Sequence, residues 1–146
     1  MTPSALFAFM DSQTLAVQTS VSPSGSPQAA VVGFIVTESF EVFFDTLDST
    51  RKVRNLRRNP RVAFVIGGMV DGDERTVQYE GLADEPEGAD LDRLKARYFF
   101  RFPDGPERQG WAGLTYVRAR PTWIRYSDFN VKPAHVQEFD AGQLRV

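Results

Sequence analysis

A strand, a tight turn, a short basic helix and the start of a second strand are encoded by Phe43-Phe44-Asp45-Thr46-Leu47-Asp48-Ser49-Thr50-Arg51-Lys52-Val53-Arg54-Asn55-Leu56-Arg57-Arg58-Asn59-Pro60-Arg61-Val62. Hydrophobicity alternates before the turn, which is typical of a strand, and Ser49 or Thr50 can cap the helix that follows. Val53 and Leu56 are spaced for its buried side, and Asn59-Pro60 is a stop signal.

The charges of this helix are unusual for a helix start. Its first turn carries Arg51, Lys52 and Arg54, although the helix dipole is positive there and unpaired N–H groups accumulate. Cations are disfavoured at such a place unless an anion lies among them. Apart from helix N–H groups, the groups available to surround a phosphate monoester are the side chains of Arg51, Lys52, Thr46, Ser49 and Thr50. A capped, solvated surface helix is the alternative interpretation.

The composition bounds the class of protein. The chain has 146 residues, 42% of them hydrophobic and 25% charged, which suits one domain with a core and is too little for two. It has no cysteine and one histidine, so disulfides, thiolate chemistry and ordinary zinc sites lack their ligands. No apolar run approaches the roughly 20 residues that span a bilayer. We expect a single domain over residues 1–146, with no metal and no membrane contact, in the cytoplasm.

The net charge of −2 gives no general attraction to nucleic acid. The segment 51–61 nevertheless holds six cationic side chains and no acidic one. This local excess favours one small anion over a polyanion, and a basic nucleic-acid module is disfavoured.

Periodicity predicts the remaining elements. Helices are expected over 4–10 and 87–101, and strands over 14–21, 28–36, 40–45, 61–66, 75–83, 114–119 and 122–127. Gly33, inside the second strand, indicates either a bulge or the close approach of a ligand or backbone. Residues 131–146 are expected to form an irregular C-terminal tail with a short edge strand at 143–146. Short turns between strands favour an antiparallel barrel with helices at its ends.

The sequence lacks the residues that most catalytic sites require. His135 is the only histidine and lies in the predicted tail, so neither a catalytic triad nor a histidine metal cluster can be assembled around it. The glycines form no Walker or dinucleotide fingerprint. Chemistry is therefore expected to come from a cofactor, which also accounts for a phosphate site.

Residues 44–52 (Phe-Asp-Thr-Leu-Asp-Ser-Thr-Arg-Lys), followed by Asn59-Pro60-Arg61-Val62, resemble the FMN-phosphate segment of pyridoxamine 5'-phosphate oxidase and its wider family of FMN-binding split barrels. The order of the neighbouring elements is also similar, and the resemblance covers most of residues 5–127. It implies a mainly β fold with a few short helices, an antiparallel six-stranded split β-barrel. It also implies a homodimer with FMN at the subunit interface.

The resemblance also implies which residues hold the cofactor. Arg51 and Lys52 would hold the FMN phosphate, and the strand over 30–35 would run beside the isoalloxazine ring. Residues from the later half of one subunit would approach the flavin of the other. The alternative is that the aromatic residues of this half pack in the core and that its arginine lies on the surface. The cofactor-binding residues expected by position are Arg51, Lys52, Thr46, Thr50, Ser49, Asp45, Val31, Val32, Gly33, Thr76, Trp111 and Arg125.

The substrate side of the resemblance is incomplete. Tyr98 matches a tyrosine that binds pyridoxine phosphate, but Phe102, Pro106 and Ile35 replace charged or polar partners of that phosphate. Each charge-assisted bond contributes ~1.5–3 kcal/mol, so we do not expect an authentic pyridoxamine phosphate oxidase. The sequence favours an FMN-dependent oxidoreductase acting on an unidentified small molecule. The alternatives are a non-enzymatic flavin carrier or sensor, or a binder of deazaflavin or heme in the same fold.

Overall fold

Eight strands form one antiparallel sheet in the computed structural model, which describes all residues from 1 to 146. The strands are β1 Leu15–Val21, β2 Pro27–Gly33, β3 Ile35–Val36, β4 Val42–Leu47, β5 Arg61–Gly67, β6 Arg75–Asp84, β7 Leu114–Asp128 and β8 His135–Asp140. Their order is β2-β1-β5-β6-β7-β4-β3, and β8 pairs with β7. Because β2 contacts β4 without pairing with it, the sheet curls towards closure and stays split. The predicted mainly β, antiparallel split-barrel fold is confirmed.

Four helices lie around this sheet: α1 Pro3–Asp11, α2 Arg51–Arg58, α3 Gly88–Arg101 and α4 Gly105–Arg108. The first three agree with the sequence prediction to within one residue at nearly every end. Asn59 follows the last residue of α2, so the predicted stop signal is confirmed. The sequence did not predict α4, because turn-forming residues surround it. No helix of the protein is long and apolar enough to cross a membrane.

The core lies between the inner side of the sheet and the helices. Aromatic rings dominate it, and the ring of Phe64 packs edge to face against those of Phe44 and Tyr79. The hydroxyl of Tyr79 donates to the carbonyl oxygens of Phe40 and Ala119, each at 3.0 Å. A buried tyrosine is therefore satisfied between two strands and serves as a structural residue.

Buried charges join α3 to the sheet. Arg118 on β7 is almost fully buried and pairs with Glu41 at 3.2 Å, with Asp84 at 2.7 Å and with Asp90. Arg93 on α3 reaches the same Glu41 at 2.8 Å. The inner charges thus compensate one another, as burial requires.

Two predictions about strand boundaries were wrong. The expected strand over 28–36 ends at Gly33 and resumes as β3, because Phe34 instead donates its N–H to Thr14 and the chain then turns to pair with β4. The expected strands 114–119 and 122–127 are one strand, since Pro121 lies where the β6–β7 register shifts at Glu80/Gly81. A bulge accommodates a residue that lacks an N–H group.

The tail also differs from the prediction. Residues His135–Asp140 are not irregular but form β8 on the outer edge of β7, and no strand forms at 143–146. The sequence hides this strand because its polar residues are expected on an exposed edge, where they resemble a loop. With these corrections the sheet has eight strands.

Candidate functional site

The N-terminus of α2 has unused hydrogen-bond donors. Thr50 is the N-cap residue, but no side chain caps the helix, and the Thr50 hydroxyl donates to the Leu47 carbonyl at 2.7 Å. The amides of residues 51–53 have no acceptor within the protein, and the first turn contains no acidic residue. This end of α2 therefore has the donors and the dipole orientation that suit an anion.

Two cations beside these amides lack a carboxylate partner. Lys52 is partly buried, which lowers the pKa of its ammonium group, and its Nζ donates to Thr46 Oγ1 at 3.2 Å. The exposed guanidinium of Arg51 forms no hydrogen bond or ion pair. By contrast, Arg57 on the same helix is paired with Glu85 at 2.7 Å, and Arg58 donates to the Val21 carbonyl at 2.6 Å. The unpaired cations of α2 are thus Arg51, Lys52 and Arg54, of which only Arg51 and Lys52 line the cavity.

These groups border a cavity of about 380 Å³ between α2 and the β1–β2 hairpin. Its lining residues are Gln18, Ser20, Gln28, Ala29, Ala30, Ser49, Thr50, Arg51 and Lys52. The structure therefore brings together four residues predicted from the sequence, Ser49 to Lys52, and places Thr46 next to them through Lys52. The cavity has the size and the cationic rim that a phosphate-bearing small molecule needs.

Polar residues of β1 and β2 that the sequence did not predict as site residues also line this cavity. Asn55 on α2 is buried, and its amide donates to Ser20 Oγ at 3.1 Å and to Gln28 Oε1 at 2.8 Å. Gln18 is also buried, on the same side of β1. The alternation along β1 separates two faces of the strand. The face with more apolar side chains points outward, and the face with Gln18 and Ser20 is buried. The signal available in the sequence was the polar character of Gln18 and Ser20 on one strand face.

Strand β2 extends from this cavity with an unpaired edge. It pairs with β1 on one side only. Hydrogen-bonded pairs recur at every second residue of an antiparallel pair, and the bonds at both ends of the hairpin make the main-chain groups of Ala29, Val31 and Gly33 point away from β1. The side chain of Val32 points inward and is buried. A planar ligand edge could therefore bond the main chain of β2.

The predicted site residue Gly33 has a packing reason to be glycine. A Cβ atom at this position would lie 3.1 Å from the ring of Phe102, which follows α3. Gly33 ends β2 rather than forming a bulge. The close approach that the sequence indicated is therefore made by an aromatic side chain of the protein.

Asp45 lies near the end of β4 but does not line the cavity. Its carboxylate accepts hydrogen bonds from Tyr98 at 3.0 Å and from Arg108 Nε at 2.7 Å. Burial, together with the charge of Asp45, raises the pKa of the Tyr98 hydroxyl. Both carboxylate oxygens are thus used to hold α3 and α4 against the sheet.

Three other predicted residues lie away from the cavity in the same chain. Thr76 on β6 and Arg125 on β7 lie on the outer face of the sheet. In the strand order, β1 and β5 come between these strands and β2, which borders the cavity. The Nε atom of Arg125 is buried and has no hydrogen-bond partner. Trp111 follows α4 and is mostly exposed. None of these three residues lines the cavity.

None of the residues that line the cavity is a histidine, an aspartate or a glutamate. No cluster of three or more histidine, aspartate or glutamate side chains is arranged for a metal ion. The single histidine, His135, begins β8, and its ring lies near that of Tyr126 with centroids 6.1 Å apart. The donors around the cavity thus include cationic side chains and free helix amides, which suit an anion.

A family model described as pyridoxamine 5'-phosphate oxidase matches residues 2–128. The chain belongs to this family. The match includes the cavity, α2 and all strands except β8. No curated protein matches the chain at a significant level of similarity.

Solved structures with this fold bind different groups. The heme binding protein from Mycobacterium smegmatis superposes with a TM-score of 0.83 and 15% identity, over 99% of this chain and 60% of that chain. The heme storage protein HutZ from Vibrio cholerae gives 0.71 and 16%, over 83% and 91%. A pyridoxamine 5'-phosphate oxidase-related, FMN binding protein from Nostoc punctiforme gives 0.72 and 12%, over 94% and 87%. The chain thus spans about 60% of the length of the Mycobacterium smegmatis protein, and these likenesses show the fold alone.

Proposed function

We propose that the protein is a flavoprotein that binds FMN non-covalently, with the FMN phosphate at the start of α2. The observation that carries this proposal is the combination of uncapped helix amides with the unpaired Arg51 and the partly buried Lys52. A phosphate monoester carries up to two negative charges and only accepts hydrogen bonds at its ionised oxygens. It would satisfy all of these donors at once.

The rest of the flavin would lie along the unpaired edge of β2. The main-chain groups of Val31 and Gly33 point to this edge, next to the cavity lined by Ala29 and Ala30. An isoalloxazine ring has a polar edge that can bond such groups. Bound FMN supplies hydride or electron transfer, whereas the protein's own residues position it and limit its contact with water.

We further propose a homodimer with the flavin between the subunits. Val31, Val17 and Val65 lie in one register row on the outer face of the sheet, and Val31 and Val65 are exposed. The same row continues to Arg125, whose buried Nε lacks a partner. A second copy of the chain on this face would cover the valines and bring Thr76, Trp111 and Arg125 towards the flavin of the other subunit.

The reaction within this proposal is the oxidation or reduction of a small molecule other than pyridoxine phosphate. Phe102 packs against Gly33 and against the ring of Tyr98. The Tyr98 hydroxyl already donates to Asp45, so this tyrosine has no free donor for a substrate phosphate. A flavin carrier or sensor is the alternative. Photoreduced protein that is reoxidised rapidly by one acceptor, and slowly by others of similar potential, would favour the oxidoreductase over the carrier.

Titration of the purified protein with FMN tests the cofactor. Each charge-assisted hydrogen bond contributes ~1.5–3 kcal/mol, so Arg51→Ala and Lys52→Ala are each expected to raise the Kd at least about tenfold. Arg54→Ala is the matched control, because this cation lies on the same helix but does not line the cavity. Wild-type protein that takes up no FMN, or an equal loss in all three variants, would contradict the proposal. A phosphate-bearing deazaflavin, titrated in parallel, separates the two ring systems.

Heme is the second candidate, and the two heme-binding neighbours favour it. Heme iron needs an axial ligand, and the chain offers His135 as its only imidazole. This residue lies beside β7, far from α2 in the strand order. Hemin titration of the wild type and of His135→Ala tests this candidate. A Soret band that is the same in both proteins would show that His135 is not the ligand.

A further inference from the structure

Gln18 on β1 is a buried polar residue with an unused hydrogen-bond donor. Its side chain is 1% exposed and lines the cavity next to α2. Its Nε2 atom has no partner, and none of the hydrogen bonds around the cavity reaches its Oε1 atom. A buried amide without partners destabilises the folded protein, so an unsatisfied residue of this kind requires an explanation, such as a bound ligand.

The surroundings of Gln18 supply no partner within the protein. The next inward-facing pair of the hairpin, Ser20 and Gln28, accepts hydrogen bonds from Asn55 and forms none with Gln18. The direct neighbours of Gln18 on the two adjoining strands are Ala30 and Phe64, neither of which has a polar side chain. Gln18 lines the cavity beside Ala30, so its side chain borders the space that a ligand at α2 would occupy.

The chemistry of the amide indicates what it binds. An amide has both donors and an acceptor, whereas the oxygens of an ionised phosphate only accept. A hydroxyl group donates and accepts, so it can satisfy both ends of the Gln18 amide. Gln18 lies two residues before Ser20 on β1, or about 6.8 Å along the strand. Because Gln18 and the start of α2 line the same cavity, a group attached to a phosphate at α2 could reach the amide.

We propose that Gln18 binds a hydroxyl of the polyol arm that joins the flavin ring to the phosphate. The inference rests on the proposed binding of FMN at α2 and adds a second recognition element to it. Arg51 and Lys52 select the phosphate, and Gln18 selects a hydroxylated chain next to it. The site then distinguishes a sugar phosphate ester from an inorganic anion.

The test uses full-length Gln18→Met and Gln18→Leu, which both remove the amide but differ in shape. Two measurements are made at constant ionic strength: the Kd of FMN, and the inhibition constant of inorganic phosphate as a competitor of FMN. Both variants are expected to raise the Kd of FMN about tenfold, since two neutral hydrogen bonds are lost. The inhibition constant of inorganic phosphate is expected to stay within about twofold.

Two comparisons make the result specific. Thr19→Val is the control on the same strand, because Thr19 points to the opposite face of the sheet. The melting temperature of the apoprotein is expected to be unchanged or higher in the Gln18 variants, because an unsatisfied buried amide is removed. A purely structural residue would instead lower it.

Three outcomes would overturn the inference. If the wild type binds FMN but the Gln18 variants bind it equally well, Gln18 contacts no ligand and the proposed function stands. If FMN and inorganic phosphate are weakened by the same factor, Gln18 contacts the phosphate instead of the polyol. If the wild type binds no FMN, both the proposed function and this inference are wrong.

Discussion

The Nζ atom of Lys52 lies 3.2 Å from Oγ1 of Thr46, and no carboxylate lies within ion-pairing distance of this ammonium group. A partly buried cation whose nearest partner is a neutral hydroxyl is destabilised relative to water, and burial lowers its pKa. An anion in the adjacent cavity would offset the unfavourable burial of this charge. The pair therefore links the energetics of the helix start to the presence of a ligand.

This relationship predicts the pH dependence of FMN binding. Affinity should rise as the pH increases through about 6, where the phosphate gains its second charge, and fall at alkaline pH as Lys52 loses its proton. Because the folded pKa of Lys52 is below that of a free lysine, the fall should begin at a lower pH than for an exposed lysine. Fluorescence titrations from pH 5 to 10 measure this profile.

Lys52→Arg provides the comparison for this profile. Arginine keeps its charge throughout the range, so the variant should lose the part of the alkaline fall that comes from Lys52. Ionisation of the flavin itself is common to both proteins. Identical alkaline profiles would mean that Lys52 does not contact the phosphate.

Asp45 should be a stability residue more than a ligand. Asp45→Ala would leave Arg108 and the buried Tyr98 hydroxyl without their partner, and the side chains of Asp45 and Arg108 are only 12% and 16% exposed. We expect a loss of about 3 kcal/mol in the free energy of unfolding, measured by urea denaturation. Asp104→Ala, which removes the exposed partner of Arg108, should cost less than ~1 kcal/mol. FMN affinity should be unchanged in both, and a tenfold loss in Asp45→Ala alone would instead make its carboxylate a ligand.

The sequence predicted the residues of the candidate site that lie at the start of α2, but not those that lie on β1. Ser49, Thr50, Arg51 and Lys52 are contiguous, so helix physics alone places them together at one helix start. Gln18 reaches the same cavity from β1 through strand pairing, which is a non-local relationship that one sequence does not reveal.

The same limit explains the errors in the fold. Local alternation identified the strands, whereas the continuous β7 depends on a bulge opposite Pro121 and β8 depends on an edge offered by β7. Both are set by tertiary partners. Helix α2 was predictable because its start and stop signals lie in its own sequence.

Glu41 should control stability in acid. Burial raises the pKa of its carboxyl, but hydrogen bonds from Arg93 and Thr37 and the charge of Arg118 outweigh burial, so the pKa is lowered. A lowered pKa contributes stability that is present above the unfolded value of ~4.3 and is lost as the pH falls through the folded value. Glu41→Gln should therefore lower stability by about 3 kcal/mol at pH 7 and flatten its decline below pH ~4.3.

Glu38→Gln is the matched control for this experiment. Glu38 also pairs with an arginine of α3, Arg97 at 3.1 Å, but its side chain is 59% exposed. An exposed pair contributes less than ~1 kcal/mol, so this variant should unfold almost as the wild type does. Equal losses in the two variants would show that the buried position of Glu41 does not matter.

Val65 tests the proposed dimer. It lies in the middle of the outer face of the sheet, between Val17 on β1 and Gln78 on β6, and is 40% exposed. Val65→Lys would place a charge in an interface that must be dehydrated, so we expect a monomer by light scattering where the wild type is a dimer. Val70→Lys is the control, because this valine is 64% exposed in the loop after β5. If the flavin lies between subunits, the monomer should also bind FMN at least about tenfold more weakly while Arg51 and Lys52 are intact. A monomeric variant with wild-type affinity would place the whole flavin site within one chain.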